Sequence, residues 1–316
     1  MKLKFISITT GCYNEEDNIS DIYVQVKNVF DVLEEYSYEH IFIDNASKDA
    51  TVSRLKEIAR NDRRVKIIVN RRNFGHVRSH LHAIFQAKGD AVINIAADLQ
   101  EPPSIIKDFI KKWEEGFKLV IGVKSKSKEN RIMFAIRQIY YKLMEKYADT
   151  EQIRNFTGFG LYDKEFVDIL RNLNDPYPYF RGLITEMGFE RAEIKFVQPV
   201  RNKGKSKSNF YILFDMAMLG FVNHSKVPLR MATFIGFSVA IFSLLIAFIY
   251  FIYKLIFMER FLVGMAPLVI GIFFFAAVQL FFIGIIGEYI GAIYTQVKNR
   301  PLVIEKERIN FDIDDS

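Results

Sequence analysis

Apolar residues follow two alternating periods through the first part of the chain. Phe5-Ile-Ser-Ile-Thr9 is a short β-rich run. From Asp17 to Tyr36 the spacing is helical, with Ile19, Ile22, Val26, Val29 and Leu33 on one face. His40–Asp44 predicts a second strand, Thr51–Arg60 a helix and Val65–Val69 a third strand. Val77–Lys88 is helical, Ala91–Ala96 is a fourth strand, Ser104–Glu115 a helix and Leu119–Val123 a fifth strand. Strands separated by helices of this length imply right-handed βαβ units and a mainly parallel α/β sheet with helices on both faces. Ligands of such sheets bind beyond the carboxyl ends of the strands, where Asp44, Asn73 and Asp98 fall.

Further along, the pattern changes character. Asn130–Tyr147 and Ser208–Val222 each predict an amphipathic helix; the second either packs on the core or lies in a lipid interface. Residues 231–253 and 262–286 are nearly uncharged, and each exceeds the roughly 20 residues that cross a bilayer. They predict a two-helix transmembrane hairpin. Lys226 and Arg230 precede it, and Lys298, Arg300, Lys306 and Arg308 follow. By the positive-inside rule both termini are expected in the cytoplasm, as a multi-pass protein of the plasma (inner) membrane. The expected division is a catalytic domain over 1–207, an interfacial helix and linker over 208–230, the two spans within 231–286, and a tail over 287–316.

Half of the 316 residues are hydrophobic and the net charge is +6. The excess base fits phosphate or anionic lipid, because no zinc-finger spacing or aromatic RNA-binding signature accompanies it. The single cysteine, Cys12, fits a reducing compartment and reads as a buried apolar residue. Met1–Thr10 is too short for a secretory leader, so none is expected.

Candidate chemistry gathers after the strands. Asp98-Leu-Gln100 offers a carboxylate and an amide oxygen two residues apart, a donor pair suited to a hard cation bridging phosphates. Tyr13-Asn-Glu-Glu16 and Asp44-Asn-Ala-Ser47 with Asp49 are acidic turns, able either to cap helices or to hold a nucleoside. His76, His80 and His82 share one helix but lack an evident third metal ligand. Arg201-Asn-Lys-Gly-Lys-Ser-Lys207 is a basic loop suited to a phosphate at the membrane surface, and Arg131 and Arg137 lie on the earlier amphipathic helix.

Together, Cys12–Glu16, Asp44–Asp49, Asn73-Phe-Gly75, Ala96-Ala-Asp-Leu-Gln-Glu-Pro-Pro103, Gly204–Lys207 and Gly287–Pro301 resemble family-2 glycosyltransferases of GT-A fold. The likeness is to polyisoprenyl-phosphate glycosyltransferases such as dolichol-phosphate mannose synthase and bactoprenol glucosyltransferases. The resemblance implies transfer of one sugar from a nucleotide sugar, a UDP-sugar by family frequency, to a polyisoprenyl phosphate such as undecaprenyl phosphate. It implies that Tyr13, Asn14, Glu15, Asp44, Asn73 and Gly75 hold the nucleotide. Asp98 would be the catalytic acidic residue, holding Mg2+ or Mn2+ with Gln100. Arg131, Arg137, Arg201, Lys205, Ser206 and Lys207 would meet the acceptor phosphate. No nucleic-acid partner is expected, and a homo-oligomer is allowed.

Three departures from the family pattern stand out. Asn45 and Ala96 replace frequent aspartates, and Gly158 stands where Gly-Asp-Phe-Arg-Leu has its acid. They motivate an alternative, a non-catalytic membrane scaffold. A processive polysaccharide synthase is a second alternative. Its Gln-x-x-Arg-Trp signature is missing, since the only tryptophan, Trp113, follows Phe109-Ile-Lys-Lys112.

Overall fold

The computed structural model describes residues 4–126, 153, 155–173, 175, 180–199, 227–256, 265–298 and 300–311. An eight-stranded sheet has the order β7-β5-β6-β4-β1-β2-β3-β8. Its strands are β1 Lys4–Cys12, β2 Tyr36–Asp44, β3 Val65–Asn70, β4 Ala91–Ala96, β5 Leu119–Lys126, β6 Phe156–Asp163, β7 Arg191–Val197 and β8 Glu305–Ile309. The central run β4-β1-β2-β3 is parallel, as is β5 with β7, while β6 and β8 pair antiparallel.

Helices cover both faces, as the sequence predicts. On one face, α1 Ile19–Phe30, α2 Thr51–Asn61 and α4 Ile106–Glu114 pack over Ile6, Ile8, Phe42, Ile67 and Ile93. On the other, α3 His76–Gln86, α5 Lys164–Leu173 and α6 Phe180–Glu186 pack over Ile41, Ile43, Ile68 and Val92. The strand residues split by the period-2 alternation of the pleat. On the α3 side, β1 carries Ser7, Thr9 and Gly11 in succession, which lets α3 approach closely. A Cβ at Gly11 would collide with the His80 ring.

Several element boundaries differ from the sequence reading. Helix α1 stops at Phe30, not Tyr36, and β2 starts at Tyr36, not His40. The chain turns between them, with Leu33 N bonding Phe30 O and Tyr36 N bonding Leu33 O. Leu33 still packs on the core, so its helical spacing records burial without helix. Another difference lies beyond the apolar helices α7 Val227–Ile256 and α8 Met265–Val297. The region read as a tail from residue 287 holds the last turns of α8 and then β8 on the edge of β3.

Strand β8 is firmly held. Asn310 Nδ2 donates to Ala59 O and Val65 O at 2.8 Å each, and Lys56 pairs with Glu307 at 2.7 Å. Glu305 meets His82 Nε2 at 2.6 Å and Arg308 at 2.8 Å. Burial raises the Glu305 carboxyl, but these two partners outweigh it and hold it at about 2. Because that lies below its ordinary 4.5, ionised Glu305 stabilises the fold. The contribution is complete above about 4.5 and is lost as the pH falls through about 2. Thermal unfolding of Glu305→Gln should therefore fall below wild type at neutral pH, and the gap should close across that window.

Candidate active site

The carboxyl edge of the parallel strands carries three adjoining turns. After β1 and β2, two loops are laced together by reciprocal bonds. Asn14 N donates to Ser47 Oγ at 2.8 Å, and Lys48 N donates to Asn14 Oδ1 at 2.7 Å. Glu16 N donates to Asp49 Oδ2 at 3.3 Å, and Ala50 N donates to Glu16 Oε2 at 2.9 Å. Asn14 and Ala46 take positive φ values of 51° and 63°, a left-handed conformation that these bonds sustain. Tyr13, Asn14, Glu15 and Asp44 are thus brought together, with Asp44 as the buried member. Its carboxylate accepts from Ser47 N at 2.9 Å and from the Ser47 hydroxyl. Burial raises its pKa and the Ser47 bonds oppose that rise. Cys12 is buried beside it, and desolvation together with the Asp44 charge pushes the thiol well up. It is therefore no nucleophile at neutral pH.

The third turn joins β3 to α3. Asn73 Oδ1 accepts from Gly75 N at 2.8 Å, and Gly75 takes φ 86°, which explains glycine there. Asn45 ties this turn to the rest. Its Nδ2 donates to Gly75 O at 3.1 Å. Its Oδ1 accepts from Phe74 N and Asn70 Nδ2, each at 3.1 Å, and from Ser79 Oγ at 2.8 Å. An aspartate could not make the donor bond, so the departure at this position has a structural cause. The histidines behind it do not converge. His80 is buried, which pushes its pKa down to about 3 and keeps it neutral, while His82 faces Glu305. Only His76 meets His80, edge-on at 5.6 Å.

On the other side of β1, the chain after β4 makes a tight turn through Asp98. Asp98 Oδ1 accepts from Gln100 N at 3.2 Å, and Leu99 takes φ 56°. Asp98 and Gln100 are partly exposed. The next acid, Glu101, is buried and engaged. It accepts from Ala96 N at 2.8 Å and from Thr157 Oγ1 at 2.7 Å, and burial raises its pKa. One partly exposed carboxylate plus one amide oxygen therefore fit a hard divalent cation whose remaining ligands come from phosphate and water.

Gly158, on β6 across from this turn, takes φ 99°, and a Cβ there would lie 3.8 Å from Asn94 Nδ2 and Phe180. Space for a side chain exists, but the backbone conformation favours glycine. At Gly160 a Cβ would come within 2.6 Å of Val120 O, so the close strand itself excludes a side chain. Sequence reasoning placed Ser47 in the second turn but gave no role at this edge to Glu101 or Thr157. The Glu-Pro-Pro that follows Gln100 was a signal for Glu101, whereas the Thr157 contact has no local signal. Arg131, Arg137, Arg201, Lys205, Ser206 and Lys207, and both amphipathic helices, lie outside the described residues.

Comparison with known proteins identifies the family. The family description "Glycosyl transferase family 2" matches residues 7–169. The chain is 34% identical to the uncharacterized glycosyltransferase YkcC of Bacillus subtilis (strain 168) over 307 residues, covering 97% of this chain and 94% of that one. It is 35% identical to a prophage-derived bactoprenol glucosyl transferase of Shigella flexneri over 303 residues, covering 96% and 97%. A solved mannosyltransferase of Pyrobaculum calidifontis, in complex with GDP-Man and Mn2+, is 18% identical with a TM-score of 0.43, covering 62% of this chain and 58% of that one.

Proposed function

The chain belongs to glycosyl transferase family 2, and from that premise we propose that it transfers one sugar from a nucleotide sugar to a polyisoprenyl phosphate at a membrane surface. The observation that carries the proposal is what gathers at one edge of the sheet. The two laced turns and the Asp98 turn lie at the carboxyl ends of β1, β2 and β4. Strands β5 and β7 run parallel to β4, so the chain leaves both at that same edge. The chain that follows α8 reaches it too. Pro301 O accepts from Arg78 Nη2 at 2.6 Å, and Ile304 O accepts from Arg71 N at 2.9 Å. Pro301 lies four residues beyond α8, within about 15 Å of the helix end.

Chain continuity supports the membrane reading. Within α8, Phe274–Val297 is long and apolar enough to cross a bilayer, with mean hydropathy 1.8. The chain leaves the sheet after β7 and rejoins it as β8, so any crossings come in an even number. A spanning α8 therefore requires a second crossing, and α7, with 30 residues or about 45 Å, is long enough to supply it. The basic flanks favour the cytoplasmic side for the sheet.

The nucleotide would rest on Tyr13, Asn14 and Glu15, with Asn73 and Gly75 at its far side. Asp44 is fully buried, so a direct contact requires the Ser47 turn to shift. A divalent cation, Mg2+ or Mn2+, held by Asp98 and Gln100, would supply positive charge to the departing diphosphate. A polyisoprenyl phosphate is a monoester with a second pKa near 6, so at neutral pH it is already a dianionic nucleophile. Its oxygen attacks the anomeric carbon while the bond from that carbon to the nucleoside diphosphate breaks. Such an attack needs alignment more than a base, which is compatible with Gly158 where the family carries an acid.

The test is a panel of labelled nucleotide sugars, UDP-glucose first, supplied with undecaprenyl phosphate to membranes containing the protein. The expected product is a labelled lipid extracted into organic solvent. Label appearing only in a water-soluble polymer would overturn the proposal in favour of a polysaccharide synthase.

A further inference from the structure

The backbone ladder between β4 and β6 runs from Ala91 opposite Asp163 to Asn94 opposite Gly160, and its last pair is short of the carboxyl edge. Beyond it, side chains bridge the strands. Asn94 Nδ2 donates to Gly158 O at 2.9 Å, and nearer the mouth Thr157 Oγ1 donates to Glu101 Oε1 at 2.7 Å. The other oxygen of Glu101 accepts from Ala96 N at 2.8 Å, closing the turn that carries Asp98. Three residues around this opening have positive φ: Leu99 at 56°, Asn155 at 60° and Gly158 at 99°. Two of them are not glycine, so the conformation of this mouth is maintained by its bonds.

We propose that Glu101 is a positioning residue, a buried latch that fixes the Asp98 turn against β6 and so sets the spacing between the donor diphosphate and the acceptor side of the site. The inference rests on reading the Asp98 turn as the diphosphate site. Glu101 itself touches no substrate in this arrangement. Both its oxygens are occupied, and its exposure is 6%. Thr157 is the other half of the latch, and it directly precedes the glycine at the family's acidic position.

The chemistry of the latch decides which substitutions it tolerates. In Glu101→Gln the amide oxygen can accept from Ala96 N while the amide nitrogen donates to the Thr157 hydroxyl, so both links survive. Glu101→Ala loses both. Thr157→Val loses only the link to β6, and Thr157→Ser retains it.

Transfer kinetics, UDP affinity by calorimetry and thermal unfolding should be measured on the full-length protein in detergent, with Asp98→Ala as the control. Glu101→Ala should lower kcat by about 100-fold, the loss associated with misplacement of about 1 Å. Thr157→Val should lower kcat by about tenfold while its UDP affinity and donor KM stay at wild-type values. Glu101→Gln and Thr157→Ser should restore wild-type kcat. Wild-type kcat in Thr157→Val and Glu101→Ala, with Asp98→Ala inactive, would overturn the latch and leave the site assignment standing. A Glu101→Gln protein as impaired as Glu101→Ala, at an unchanged unfolding temperature, would also overturn it by showing that the charge itself acts. An active Asp98→Ala would instead sink the reading of the turn. If Glu101→Ala fails to fold, the Thr157 pair carries the test alone.

Discussion

Asp98→Ala is expected to lower formation of the lipid-linked sugar by about 100- to 1,000-fold, the loss typical of removing one group that stabilises developing charge. The unfolding temperature should stay within about 2 °C of wild type. The expectation comes from the contrast between neighbouring acids. Asp98 is partly exposed and, among the described residues, its side chain accepts one bond, from Gln100 N inside its own turn. Glu101 is buried and joins two strands. Removing Asp98 therefore takes away charge at the mouth without opening the core, and surface changes of that kind cost little stability. Asp98→Asn separates charge from shape, because its amide oxygen can still accept from Gln100 N. Extractable lipid product and thermal unfolding, measured on the same preparations, decide the matter. An equal loss in Asp98→Asn and Asp98→Ala assigns the effect to charge on the departing diphosphate. Full activity in Asp98→Asn would deny the carboxylate that role.

The parallel half of the fold was legible because its strands are buried on both faces and read as apolar runs bounded by polar turns. Ala91–Ala96 was found to the residue. What escaped was determined at long range. Phe156–Asp163 contains two glycines, a composition that disfavours a strand, yet close strand approach at Gly160 explains one of them. Strand β8, Glu305-Lys-Glu-Arg-Ile309, has four charged residues in five, and its partner β3 lies more than 230 positions earlier. Nothing local predicts it. The site divided the same way. Residues at strand ends, such as Asp44 and Asp98, were visible from the βαβ pattern. Asn45 read as a lost aspartate, because its bonds to Asn70, Phe74, Gly75 and Ser79 depend on where β3 and α3 come to lie.

The largest loss of stability should follow Asn45→Ala. Three donors lose their acceptor and one carbonyl loses its donor. Asn70 and Ser79 are both buried, at 1% exposure, although Asn70 Nδ2 still reaches Ser79 Oγ at 3.1 Å. Buried polar groups left unsatisfied cost about 1–3 kcal/mol each, so the variant should lose about 2–4 kcal/mol after that partial compensation. For a domain of this size, thermal unfolding should move down by about 5–15 °C. Asn45→Asp makes the sharper comparison, since it introduces the residue frequent in the family. It keeps the acceptor for three donors but sets a carboxylate against Gly75 O, so it should fall between wild type and Asn45→Ala. The Asn73-Phe-Gly75 turn should loosen in both variants and raise the donor KM, with kcat less affected. An Asn45→Asp protein as stable as wild type would show that the donor bond to Gly75 O contributes nothing. The asparagine would then have no structural cause in this turn.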